Sequence, residues 1–153
     1  RDSFIGVGNG VETSLGLIND TFETAITWDQ WPAFDAAVRE RVGAALAETF
    51  GEHHSLSCRF THVYPDGPAP YYTWFGMGTQ GSEISQWQTI KDAANEAVVS
   101  AGGTSTHHHA VGRMHRPGAY DVQRPELFAE SIRAVKKRLD PNGILNPGVL
   151  IDP

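Results

Sequence analysis

The sequence predicts an α+β fold, an antiparallel sheet with helices on one face in a ferredoxin-like half and a further helix near the C-terminus. Three observations predict it. Strand-like segments occupy 17–27, 55–64 and 70–77, and the last two are joined by the turn Pro65-Asp66-Gly67-Pro68. Apolar residues recur at helical spacing in two long segments, one before this hairpin and one after it. Glycine and proline punctuate each change of period. At 153 residues, 40% hydrophobic and 10% aromatic, the chain suits one domain or one contiguous piece of a larger one.

In chain order, residues 4–27 are rich in Val, Ile, Phe and Thr. Glycines break the early part at Gly6, Gly8 and Gly10. That glycine run lacks the third-glycine spacing of a dinucleotide fingerprint and no helix signal follows it, so it reads as a flexible loop. From Leu17 to Thr27 the β-branched content rises, which predicts a strand. A helix then starts at Trp28-Asp29, with Asp29 as cap, Pro32 in the first turn and Phe34, Val38, Val42 and Leu46 inward; it stops at Gly51. A second helix spans Glu83 to Ala101, capped by Ser82, with Ile84, Trp87, Ile90 or Lys91, Ala94 and Val98 inward and Gly102 at its C′ position. Residues 113–125, with Pro117 and Gly118, read as irregular. Pro125 opens a third helix with Phe128, Ile132, Val135 and Leu139 on one face, and Asp140-Pro141-Asn142-Gly143 stops it.

Composition narrows the function. The formal charge is −6, and the basic run Arg133, Lys136, Lys137 and Arg138 falls in the last turns of the third helix, where cations complement its dipole. A nucleic-acid partner is not expected. Cys58 stands alone, so neither an internal disulfide nor a cysteine-rich metal site is available. No apolar run approaches the ~20 residues of a membrane span, and a cytoplasmic location is the default. The chain opens at Arg1 without a methionine and is expected to be a processed, cleaved or partly recorded product.

The chemistry centres on His107, His108 and His109, three adjacent imidazoles between Gly102-Gly103 and Gly112. Imidazole titrates nearest working pH, so such a loop is a candidate for proton transfer. A surface loop is the plain alternative. Metal binding is disfavoured, because neighbouring loop residues point apart and metal ligands usually come from separated positions on one face. In the second hairpin strand Tyr71 and Tyr72 face opposite sides of the sheet, and Thr21 and Glu23 share one face of the first strand.

Four stretches together resemble a known family. They are Asn19 to Trp28, Ser57 to Gly67, Ala101-Gly-Gly-Thr-Ser-Thr-His-His-His-Ala-Val-Gly112 and Asp140-Pro-Asn-Gly-Ile-Leu-Asn-Pro-Gly148. Over nearly its whole length the chain resembles the C-terminal part of FAD-linked oxidases of the vanillyl-alcohol-oxidase superfamily, and within it the alkyldihydroxyacetonephosphate synthase group. The last stretch is shared by many members; the triple-histidine loop is narrower, since hydroxy-acid members carry a Gly-Glu-His-Gly-like sequence there.

The resemblance implies that residues 1–101 belong to a substrate-binding cap. Residues 102–153, with the histidine loop and C-terminal helix, would return to an FAD-binding segment N-terminal to this chain. It implies FAD as cofactor, with Asn146 touching it. The reaction implied replaces the acyl group of acyl-dihydroxyacetone phosphate by a fatty alcohol through a flavin N5 adduct. There His108 is the base with His107 and His109 beside it, Tyr71 an acid/base, Arg1 the substrate-phosphate arginine and Thr21 a substrate neighbour. A lipid phosphate substrate follows, and peripheral membrane association and a homodimer are compatible with it. The rival readings are an FAD oxidase or dehydrogenase of a small hydroxy acid or alcohol, and a non-catalytic or metal-binding module using the histidines.

Overall fold

A computed structural model describes residues 12 and 14–152. Arg1 and the glycine run Gly6–Gly10 lie outside the described residues. The elements are β1 (Leu17–Glu23), α1 (Trp31–Phe50), β2 (His54–Val63), β3 (Pro68–Met77), α2 (Glu83–Ser100) and α3 (Glu126–Leu139). The strands form a three-stranded antiparallel sheet in the order β1-β3-β2. This is the α+β layer expected, with both long helices on one face.

Strand parity divides the sheet. Ile18 and Phe22 of β1 and Tyr72 and Trp74 of β3 meet Phe34, Val38, Val42 and Leu46 of α1 and Ile90, Ala94 and Val98 of α2 in one core. Fully burying each large apolar side chain contributes about 1.5–3 kcal/mol. Phe22 stacks on Tyr72 at 4.7 Å, and the Tyr72 hydroxyl donates to Asp35 at 2.8 Å. Burial, and then that bond to Asp35, push the phenol's pKa far up.

Several local expectations are corrected. The first strand ends at Glu23 rather than Thr27, because Thr24 to Trp28 follow the chain past the hairpin: the Thr24, Ile26 and Trp28 N–H groups donate to Pro70, Pro68 and Asp66 carbonyls. Gln30 rather than Asp29 occupies the N-cap of α1; Ser82 holds the N-cap of α2 as expected, and no side-chain bond caps either helix. Ile84 is 83% exposed, since it lies in the first turn of α2, ahead of the buried stripe that begins at Ile90. Pro125 is the N-cap of α3 rather than its first residue. Of α3 only Ala129 is buried, and Phe128, Val135 and Leu139 stand open.

Two glycines shape the exit from α2. Gly102 has φ +90°, the left-handed value expected after a helix. At Gly103 a Cβ would lie 2.6 Å from the Phe34 ring and 2.7 Å from Thr24 Oγ1, so a side chain there would collide with the core. The pair lets the chain turn tightly over the end of β1.

Candidate active site

The sheet face away from the helices carries the site. Register puts Glu23 of β1, Tyr71 of β3 and Arg59 of β2 in one row, and Thr21, Thr73 and Ser57 in the next. The shared face of Thr21 and Glu23, and the opposite facing of Tyr71 and Tyr72, follow from this register. A bulge between Phe60 and His62 pairs His62 with Ala69, which brings His62 onto this same face.

The histidine loop is pinned over the Glu23 end of the face. The Thr104 N–H donates to the Ala25 carbonyl at 3.2 Å, and the Ala25 N–H donates to Thr104 Oγ1 at 3.0 Å. The Thr24 hydroxyl donates to the Thr104 carbonyl at 2.7 Å. Past this anchor the loop wraps the Glu23 carboxylate. Glu23 Oε1 accepts from the Thr106 hydroxyl at 2.5 Å and from the N–H groups of His107 at 2.7 Å, His108 at 3.0 Å and His109 at 2.9 Å. Only 2% of Glu23 is exposed. Burial pushes its pKa up, but the Thr106 hydroxyl and the three loop N–H groups outweigh it and hold it at about 2. A fixed negative charge therefore sits beneath the loop at any working pH.

That charge orients His108. Its Nδ1 lies 3.0 Å from Glu23 Oε2, and an ionised carboxylate only accepts, so Nδ1 carries hydrogen and Nε2 keeps its lone pair when the ring is neutral. The Tyr71 ring lies 6.0 Å from the His108 ring and nearly parallel, and 5.5 Å from His109 edge-on. The Tyr71 hydroxyl donates to Thr21 Oγ1 at 3.1 Å, and the Arg59 guanidinium lies 5.0 Å over the Tyr71 ring. His107 Nε2 is 3.2 Å from the Tyr64 hydroxyl.

Four of the expected site residues are thus brought together with Thr21: His107, His108, His109 and Tyr71. Asn146 is exposed in the C-terminal loop, with φ 45°, and its carbonyl accepts from Val149. Its neighbour Pro147 accepts at its carbonyl from Arg113, just past the histidine loop, at 2.6 Å. Arg1 lies outside the described residues.

Sequence reasoning put Glu23 on the face of Thr21 without giving it a role, and missed His62 and Arg59 as members of this face. Their signal was parity: Glu23 and Arg59 follow from pairing the strands around Tyr71, whereas His62 requires the bulge. Behind the face Lys91, 2% exposed, donates to the Thr21 carbonyl at 2.8 Å and pairs with Asp20 at 3.0 Å. Burial, and then the Lys91 charge, push the pKa of the buried His115 down, and it meets Asn95 at 3.3 Å. These groups hold β1 and the loop's far end in place.

Comparisons with known proteins show the family and the fold. Residues 1–150 match the family model described as FAD linked oxidases, C-terminal domain. An alkyldihydroxyacetonephosphate synthase of Caenorhabditis elegans is 29% identical over 141 residues, covering 90% of this chain and 23% of that protein. One of Trypanosoma brucei brucei is 30% identical over 132 residues, covering 86% and 21%. A solved alkyldihydroxyacetonephosphate synthase structure superposes with a TM-score of 0.59 at 15% identity, covering 90% of this chain and 22% of its own; that likeness shows the fold. The chain spans less than a quarter of the length of these relatives.

Proposed function

The chain belongs to the C-terminal domain family of the FAD-linked oxidases, and from that premise we propose that it is the catalytic cap of an ether-forming enzyme acting on acyl-dihydroxyacetone phosphate. The overall exchange joins a fatty alcohol to the glycerone carbon and releases the acyl group as a carboxylate and a proton. The observation that carries this reading is the Glu23–His108 pair facing Tyr71 on a sheet face that no helix of the described residues covers.

The residues present fit an FAD ring. Beyond the histidine loop, Tyr71, Thr73 and Phe75 offer a flat mixed surface, and Phe75 is 37% exposed, with no helix of the described residues over it. Tyr71, Thr73 and Phe75 would lie against the isoalloxazine, and Asn146 would approach it from the C-terminal loop. When bound, FAD supplies the centre that holds the glycerone carbon between loss of the acyl group and entry of the alcohol.

The chain's own residues handle protons and position. His108 Nε2 takes a proton from the carbon beside the substrate ketone, and Glu23 stabilises the imidazolium that results. Tyr71, with Thr21 as its hydrogen-bond partner, gives a proton to the departing carboxylate and regains one from the incoming alcohol, and His108 returns its proton to the carbon. His109 packs the tyrosine ring edge-on and limits its swing. Arg59 makes the face attractive to an anionic substrate, with Arg1 as the further phosphate contact. The exposed apolar side of α3 packs on the N-terminal FAD-binding segment, so that the flavin lies between that segment and this cap. Working on a lipid substrate, the protein operates at a membrane surface from the cytoplasmic side; no helix of the described residues is long and apolar enough to cross a membrane.

The full-length protein, loaded with FAD, tests this with radiolabelled fatty alcohol and acyl-dihydroxyacetone phosphate. Ether product is expected, with His108→Ala and Tyr71→Phe each losing about 10²–10⁴-fold in turnover. Reduction of the flavin by 2-hydroxy acids with no ether product would replace the reading with that of a dehydrogenase. Unchanged turnover in His108→Ala would remove the base assignment.

A further inference from the structure

We propose that His62, His107 and His108 form a binding site for a divalent transition-metal ion, with zinc the best match. One ring nitrogen from each histidine lies within 4.8 Å of the others. The ring centroids make a nearly equilateral triangle, 5.2 Å from His62 to His107, 5.1 Å from His62 to His108 and 5.4 Å from His107 to His108. Zinc–nitrogen bonds of about 2.0–2.1 Å in a tetrahedron place ligand nitrogens about 3.3 Å apart, so the rings turn inward about their side-chain torsions when the ion binds; His107 and His108 already approach to 3.2 Å between their Nδ1 atoms. His62 and His108 are exposed enough to make that adjustment.

The objection to metal on three consecutive loop histidines was that they come from one stretch. Here the third ligand comes from β2, delivered by the bulge after Phe60, while His109 turns away to the edge of Tyr71. Two supports hold the ligands. Glu23 accepts from His108 Nδ1, the carboxylate–histidine bond that commonly orients a metal-ligating imidazole. Tyr64 lies parallel to the His62 ring at 5.9 Å with an interplanar angle of 2°. Buried and ionised, Glu23 also offsets part of the ion's charge. Three imidazoles without carboxylate or carbonyl ligands select zinc, copper, nickel or cobalt over magnesium or calcium. A water fills the fourth position.

Metal binding follows from this geometry alone. Its consequence rests on the proton-transfer reading above: an ion on His108 occupies the lone pair that would take the substrate proton, so zinc acts as a reversible inhibitor.

Isothermal titration of zinc into chelator-stripped, FAD-loaded full-length protein tests the site, with magnesium as control. One zinc per chain is expected, with no magnesium heat, and His62→Gln, an exposed position, should weaken zinc by about 100-fold or more. Zinc should stop ether formation, chelator should restore it, and His62→Gln should resist it. Equal zinc affinity in His62→Gln and the parent would overturn the site while leaving the proton-transfer reading intact. Zinc binding that depends on His62 in a protein without ether-forming activity would keep the site and discard the catalytic reading. Binding with no effect on an active enzyme would discard the inhibition.

Discussion

Residues 17–101 and residues 113–152 are held by different means. In the first region two helices close over one face of the sheet, and its core runs unbroken from Phe50 to Val98. In the second, arginines do the fastening. Arg116 reaches both Asp152 oxygens at 2.9 and 3.2 Å and the Gly148 carbonyl at 3.0 Å, and Arg124 reaches the Leu150 carbonyl at 2.5 Å. Apolar burial there is confined to a few positions such as Ala119, Ala129 and Ile151, while Leu127, Phe128, Val135 and Leu139 stay in solvent. A region that closes its own core can fold on its own terms. One that keeps its largest apolar side chains outside and fixes its backbone with charged hydrogen bonds presents an apolar surface of the kind that marks an interaction site. The histidine loop lies on the border, with its carboxylate nucleus, Glu23, rooted in the first region.

The largest expected effect tests the self-contained half. Trp74→Ala empties a fully buried site between Phe50 and the sheet, and should cost about 3–5 kcal/mol in denaturant unfolding of the full-length protein. A cost below about 1 kcal/mol would mean that this core is not what holds the cap. The next effect belongs to the border. Glu23 is held near 2 from an ordinary 4.5, so its folded pKa is depressed and its contribution is complete above about pH 4.5. As pH falls through that range toward 2, roughly 3 kcal/mol should be lost, and in metal-free buffer Glu23→Gln should remove this part of the acid dependence. Parallel acid-unfolding curves for the two proteins would show that the loop is not built on the carboxylate.

This division also explains what could be read from the sequence. Fourfold apolar spacing located α1 and the buried end of α2 because those stripes are covered within the chain. The same spacing placed Phe128, Val135 and Leu139 on one face of α3 but could not say what covers them. Ile84 was misjudged because periodicity carries no information on where a helix leaves its neighbour. Adjacency between glycines singled out the three histidines. Their nucleus was harder to see: Glu23 shares a face with Thr21 in any strand reading, yet its role appears only when the Gly102-Gly103 turn lays Thr106 to His109 over it. His62 was beyond reach, because plain alternation from Arg59 puts it on the helix side and only the bulge reverses that.

The second region should respond more mildly, and first at its fasteners. Arg116→Met removes several charged hydrogen bonds but leaves Asp152 largely in solvent, where water can replace them, so about 1–3 kcal/mol is expected. Hydrogen exchange should show the loss confined to residues 113–152, with the amides of α1 and α2 unchanged. Protection lost throughout the chain would mean that the two regions form one cooperative unit.

The smallest effect is the most telling. Val135→Ser on the open side of α3 should change the stability of this chain alone by less than about 0.5 kcal/mol, because the side chain is already 58% exposed. In the full-length protein the same change lies under the FAD-binding segment if the apolar side of α3 is its seat. It then buries a hydroxyl where a methyl packed and should cost about 1–3 kcal/mol. The two settings separate intrinsic folding of α3 from docking. A small effect in both would place the partner surface elsewhere, and a large effect in the chain alone would erase the contrast between the two regions.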